Sequence, residues 1–157
     1  MRVLGIDPGY GRCGVAVIEE RNHAQRLVYS ECIETSAATP FPDRLGAVVS
    51  ECNRIADLFA PDAIAIEKLY FSTNQKTAMQ VAEVRGALLG LASSRQTPIF
   101  EYTPAQVKNA AAGWGGADKK QVVKMLHLLL TIDKEIKYDD EYDAIAVGIT
   151  HLAHKGR

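Results

Sequence analysis

A single mixed α/β domain is the fold class this sequence predicts, and three observations predict it. Short apolar runs with strand character alternate with longer stretches of helical period, in the order βββαβαβαα. The first three strand-like runs are joined by short connections, which suggests an antiparallel meander. Three apolar runs also begin or end on acids. Asp7 closes Val3-Leu4-Gly5-Ile6, Glu67 closes Ala63-Ile64-Ala65-Ile66, and Asp140 and Asp143 open Ala144-Ile145-Ala146-Val147-Gly148-Ile149. At 157 residues the chain is the size of one domain, taken as 1–157, and can bury a real core.

Each element has a local reason. Residues 1–6 and 14–19 flank the loop Pro8-Gly9-Tyr10-Gly11-Arg12, and 25–34 reads as a third strand. Pro42-Asp43-Arg44-Leu45 opens a helix that keeps Leu45, Val48, Val49, Cys52, Ile55, Ala56 and Phe59 at helical period, and Pro61-Asp62 ends it. Residues 63–66 are short, apolar and bounded, as a central buried strand should be. After the polar turn Ser72-Thr73-Asn74, an Ala- and Leu-rich helix runs from 74 to about 93. Residues 98–102 form another strand, and Pro104 starts a short helix. The loop Ala112-Gly113-Trp114-Gly115-Gly116 follows, then a helix from Asp118 to about Leu130 and a last one from near Asp139.

Bulk composition excludes more than it assigns. Hydrophobic residues make up 47% and charged ones 24%, as in ordinary soluble domains. Eighteen Lys+Arg against nineteen Asp+Glu leave a formal charge of −1, which neither announces nor excludes nucleic-acid binding. Cys13, Cys32 and Cys52 lack metal-ligand spacing and read as thiols in a reducing compartment. With no signal-like N-terminus and no apolar run of bilayer length, a cytoplasmic protein without membrane contact is expected.

The acids carry the chemistry. Charges that end buried strands are rarely tolerated unless paired or bound to a cation, and several carboxylates brought together repel one another. Asp140 and Asp143 are spaced i, i+3, so on a helix their Cβ atoms lie about 5–6 Å apart. Taken singly, each acid has a plain explanation: a helix cap for the pair, turn chemistry for Asp7-Pro8-Gly9, a strand end for Glu67. All of them in one small α/β chain point instead to an oxygen-ligand site for divalent metal. Mg²⁺ is held by few carboxylates plus phosphate, and two such ions can stabilise both oxygens of a phosphodiester displacement.

The chain resembles the RuvC family of Holliday-junction resolvases, within the ribonuclease H-like superfamily, from Met1 to about His154. The residues that carry the resemblance are Gly5-Ile6-Asp7-Pro8-Gly9 with Gly14, and Ala65-Ile66-Glu67. Further on come Arg85 within Ala82-x3-Gly86, Phe100-Glu101-Tyr102, Gln106-Val107-Lys108, Ala117-Asp118-Lys119-x-Gln121-Val122, Asp140-x-x-Asp143-Ala144 and Ile149-Thr150-His151. No single motif is decisive; the ordered set is specific. Tyr142 departs from the pattern, standing where a small residue is more usual.

The resemblance implies a ribonuclease H-like, five-stranded mixed sheet flanked by helices, in a homodimer acting on four-way DNA junctions. It implies hydrolysis leaving 5′-phosphate and 3′-hydroxyl ends, in recombination and repair. Asp7, Glu67, Asp140 and Asp143 would hold two Mg²⁺ ions per site, with Mn²⁺ as a substitute, and RuvA and RuvB would be partners. DNA contacts would fall to Tyr70, Lys76, Arg85, Lys108, Lys119 and Lys120, with Lys108 and Lys119 nearest the scissile phosphate.

Other residues leave two readings each. Tyr70-Phe71 after Glu67 serves either core packing or stacking on unpaired bases. Trp114 is a loop anchor or a DNA contact. His151 and His154 lack further zinc ligands and read as helix-end residues. Ala78, Val81, Ala82, Arg85, Leu88 and Leu89 exceed one core-facing stripe, which suggests that the 74–93 helix makes the dimer contact, with Leu88 and Ala82 in it.

Three alternatives compete. A YqgF-type relative acting on RNA shares the opening strand–Asp–turn–strand. Actin-like ATPases and sugar kinases share a similar turn but are much longer. A catalytically silent DNA-binding module would have no need of all four carboxylates.

Overall fold

A computed structural model of the chain describes residues 1–69 and 75–154, with 75 and 76 described by backbone alone. The elements are β1 (Arg2–Asp7), β2 (Arg12–Arg21), β3 (Ala24–Glu34), α1 (Phe41–Phe59), β4 (Ala63–Glu67), α2 (Gln75–Ser94), β5 (Ile99–Tyr102), α3 (Pro104–Ala112), α4 (Lys119–Leu129) and α5 (Asp139–His154). Five strands form one mixed sheet in the order β3-β2-β1-β4-β5. The first three pair antiparallel, and β4 and β5 extend the sheet parallel to β1. This is the architecture expected from the sequence.

One hairpin is longer than the sequence suggests. β2 and β3 pair from Arg12↔Glu34 to Arg21↔Ala24, leaving only Asn22 and His23 as the turn, at φ 52° and 63°. Positive φ at both central positions twists a two-residue turn to match its strands. Asn-His lacks the glycine that usually signals such a turn, so the strand ends were hidden.

Side-chain alternation sorts each strand between two helical layers. Leu4, Ile6, Val15, Val17, Ile64 and Ile66 pack with Val48 and Cys52 of α1 and Val84 and Leu88 of α2. Val3, Ala16, Ile18 and Ala65 pack on the other face, with residues of α3, α4 and α5. Burial on both faces explains why these strands read as continuous apolar runs. Because the period is two, Asp7 and Glu67 belong to the face of Val3 and Ala65, which α5 covers.

Two glycines let α5 approach the sheet closely. A Cβ on Gly14 would run into the Asp140 carbonyl, and one on Gly5 would meet the Ala144 carbonyl and lie 2.7 Å from the Gly148 nitrogen. Helix backbone therefore rests almost directly on strand backbone, with no side chain between. Gly14→Ala is expected to cost about 1–3 kcal/mol, because the obstructing atoms are main-chain and cannot rotate away. Thermal unfolding checks this: an unchanged Tm would mean that α5 shifts without cost.

One sequence expectation is corrected. Leu88, placed with Ala82 on a surplus face, is only 1% exposed and lies in α2's core stripe with Val84 and Ala92, which recur every fourth residue. Ala82 is exposed, as is Met79. His151 stands in the last turn of α5, as expected, and is buried there because α5 passes beneath β5. Its Nδ1 lies 2.8 Å from the Tyr102 hydroxyl, and its ring centroid lies 4.4 Å from that of Phe100. No helix among the described residues is long and apolar enough to cross a membrane.

Candidate active site

Asp7 and Glu67 are neighbours because β1 and β4 are parallel and in register up to Ile6↔Ile66, one residue before each acid. Across the other edge of β1, Asp7 pairs with Gly14, against which Asp140 of α5 is pressed. One helical turn along α5, Asp143 lines the same pocket as Asp7 and Glu67. That pocket has a volume of about 330 Å³ and is also bounded by Pro8, Lys68, Leu69, Val81 and Pro104. Two strand ends and one helix start thus bring together acids more than 130 residues apart in the chain.

Electrostatics follow from this crowding. The Asp7 carboxyl is pushed from its ordinary value of 3.8 up to about 8, first by burial, then by the charges of Glu67, Asp143 and Asp140, with Lys119 opposing. Glu67 rises from 4.5 to about 7, again chiefly by burial and then by Asp143, with Lys119 and Lys108 opposing. Asp143 is raised mainly by burial, against the pull of Lys119. Such a cluster is short of positive charge.

The five residues that open α5 divide cleanly. Asp140 and Asp143 act on Asp7. Glu141 turns the opposite way: it is buried, accepts a hydrogen bond from Ser30 Oγ at 2.6 Å and pairs with Lys134 Nζ at 2.5 Å. Asp139 is largely exposed and pairs with Lys119, at 3.4 Å. The departure at Tyr142 is accommodated between α4 and α5, where its hydroxyl lies 2.9 Å from His127 Nε2.

The basic residues separate as well. Lys119, first in α4, reaches Asp143 Oδ2 at 3.2 Å, its position set by the Asp118–Gln121 capping box. Lys108 lies on α3, whose start is held by a Thr103–Gln106 capping box. Lys120 is exposed on a groove that also holds Lys119, Lys124 and Tyr142. Arg85, grouped by the sequence with the DNA contacts, pairs with Glu101 of β5. Tyr70 and Phe71 lie outside the described residues, as does the side chain of Lys76.

The sequence reading passed over Arg12. Its Nε lies 3.5 Å from Asp140 Oδ2, and its guanidinium lies over the Tyr138 ring at 5.0 Å. Only the strand register that sets Arg12 beneath α5 reveals it.

Among the described residues, no group of three acids closes tightly enough to enclose an ion with protein ligands alone. The arrangement suits a cation that takes one or two carboxylates and completes its shell with water and a bound phosphate.

Comparison with known proteins gives one consistent result. The family model described as Crossover junction endodeoxyribonuclease RuvC matches residues 3–151. A Crossover junction endodeoxyribonuclease RuvC of Finegoldia magna is 40% identical over 152 residues, covering 97% of this chain and 93% of that protein. The Thermus thermophilus RuvC solved in complex with Holliday junction substrate superposes with a TM-score of 0.90 at 32% identity, covering 97% of this chain and 93% of the other. The yeast mitochondrial Holliday junction resolvase Ydc2, at 17% identity, shares the fold with a TM-score of 0.72, over 95% of this chain and 76% of that one.

Proposed function

This chain belongs to the RuvC family of crossover junction endodeoxyribonucleases, and from that premise we propose that it resolves four-way DNA junctions by metal-dependent phosphodiester hydrolysis. The observation that carries the reading is the convergence of Asp7, Glu67 and Asp143 on one pocket, with Asp140 beside them and Lys119 at the rim. The YqgF-type alternative is not favoured, since the relatives matched over nearly the whole chain are crossover junction endodeoxyribonucleases.

The donor set fits hard divalent cations. It is all oxygen, crowded and short of positive charge, so Asp7, Glu67, Asp140 and Asp143 would hold Mg²⁺, two ions per site, with Mn²⁺ as a substitute. When bound, the ions supply charge that offsets the negative charge building on the phosphate and lower the pKa of water. The chain's own groups do the rest. Asp7 and Glu67, on strand ends, form the rigid floor that fixes where the phosphate sits. Lys119 holds the Asp143 carboxylate in its rotamer and presents an ammonium to a phosphate entering the pocket. Lys108 adds positive potential from α3, which biases Glu67 toward its charged form. The products would carry 5′-phosphate and 3′-hydroxyl ends.

One nuclease domain makes one cut, so paired nicks call for two copies. The exposed stripe of α2 that holds Met79 and Ala82 is the proposed homodimer contact. Ala82→Glu is expected to give monomers of unchanged Tm that nick one strand only. Leu88→Asp should instead unfold the chain, because it would bury a charge in the core. Sedimentation and thermal melts of both variants check this, and a dimeric Ala82→Glu protein would remove that face from the interface. RuvA and RuvB are the proposed partners, and the cytoplasm the proposed setting.

The decisive assay compares Mg²⁺-dependent nicking of a fixed four-way junction with that of linear duplex and structured RNA. Symmetric nicks in the junction alone support the reading, and preferential cutting of RNA rejects it. Lys119→Ala is expected to slow single-turnover cleavage by about 10²-fold while changing junction affinity by less than about threefold. An equal loss of affinity with an unchanged rate would make Lys119 a backbone anchor.

A further inference from the structure

A second pocket adjoins the carboxylates. It has a volume of about 360 Å³ and is lined by Thr103, Pro104, Ala105, Lys108 and Gly115. Pro104 also borders the carboxylate pocket, so the two share a wall. The loop after α3 closes its far side, where Gly115 packs against the first turn of α3: a Cβ there would lie 3.4 Å from the Ala105 carbonyl. Among the described residues, Lys108 is the only charged one in its lining.

Trp114 stands in the same loop, next to Gly115, and is 55% exposed. It belongs to neither hydrophobic cluster of the core. The benzenoid part of its indole lies against Gly116, where a Cβ would come within 2.8 Å of its Cε3. A loop anchor would insert its ring into the core. This ring is supported from beneath by backbone and left open to solvent, in the loop whose Gly115 lines a pocket that adjoins the reaction site.

We propose that this pocket and Trp114 form a nucleotide subsite, in which a base flanking the scissile phosphate stacks on the Trp114 indole and Lys108 faces the adjoining phosphate. The inference rests on the nuclease reading for the location of the scissile phosphate. It goes beyond that reading by assigning a base contact to a loop that carries none of the carboxylates. Three features favour a base here: continuity with the carboxylate pocket, a single cation in the lining, and a large aromatic surface free of the core. Stacking needs a π-face and not a particular hydrogen-bonding edge, so the subsite would accept any base, with preference following stacking strength.

The chain contains one tryptophan, so its fluorescence reports on this residue alone. Wild-type protein in EDTA is titrated with a fixed four-way junction, separating binding from cleavage. Two further junctions carry an abasic nucleotide on either side of the scissile phosphate. Expected is strong quenching by the intact junction, lost with one of the abasic junctions. Trp114→Phe should keep affinity within about twofold, whereas Trp114→Ala should weaken it on the order of tenfold. The abasic junction should cost wild type the same factor and cost Trp114→Ala nothing more, a non-additivity that an anchoring role would not produce. Unchanged wild-type fluorescence at saturating junction overturns the subsite. So does a Trp114→Ala variant whose only defect is a lowered Tm, with equal affinity losses on intact and abasic junctions. The nuclease reading fails separately: wild type that quenches with base dependence but never nicks the junction in Mg²⁺ keeps the subsite and rejects the enzyme.

Discussion

Asp7→Asn is expected to lower junction cleavage by about a thousandfold or more while leaving the junction bound. Asp7 is the acid on which the others converge: its carboxyl feels Glu67, Asp143 and Asp140 together. An amide there keeps the shape of the floor but removes one anionic ligand from a set with none to spare. Glu67→Gln and Asp143→Asn should behave alike. Asp140→Asn should also be severely impaired, because Asp140 is among the charges that act on Asp7, whereas its neighbour Asp139 is 73% exposed and paired with Lys119. Affinity should survive in every case, since phosphate contacts by lysines do not depend on the acids. Single-turnover cleavage in Mg²⁺ beside a gel-shift titration measures both, and a near wild-type rate in any variant removes that acid from the site.

The same substitution should stabilise the metal-free protein at alkaline pH. The folded-state pKa of Asp7, about 8, stands above its ordinary 3.8, and Glu67, about 7, stands above 4.5. For an acid raised in this way the folded state binds more protons than the unfolded chain between the two values, so stability falls as pH rises. In EDTA, Tm should decline from about pH 4 to about pH 8 and then level. The Asp7 contribution is at most a few kcal/mol, because solvent reaches the open pocket. Asp7→Asn removes the largest part of this slope and should melt several degrees above wild type at pH 8.5 without metal. Mg²⁺ should reverse the order, since it stabilises only the protein that retains its ligands. A flat Tm from pH 4 to 9 in EDTA would mean that the acids are not crowded in solution. Activity and metal-free stability thus pull in opposite directions at one residue, as expected where like charges are gathered for chemistry.

The sequence by itself determined the element order, the meander, and the placement of acids at strand ends and at the start of the last helix. Those features are local. A strand's period of two and a helix's i, i+3 spacing follow from backbone geometry, and an acid closing an apolar run is visible without knowing its neighbours.

Tertiary structure alone decided the rest, because it depends on which surfaces meet. Leu88 and Ala82 are both small or apolar on one helix, and only the packing of α2 on the sheet made one core and the other surface. Arg85 acquired its partner Glu101 only through the packing of α2 beside β5. His151 is a helix-end residue, and its burial comes only from the passage of α5 beneath Tyr102 and Phe100. Arg12 acquired its partner Asp140 through the pairing of β2 with β1 and the close seat of α5 on Gly14. In each case the deciding partner lies far off in the chain, and a side chain's role is set by a neighbour that no local pattern can supply.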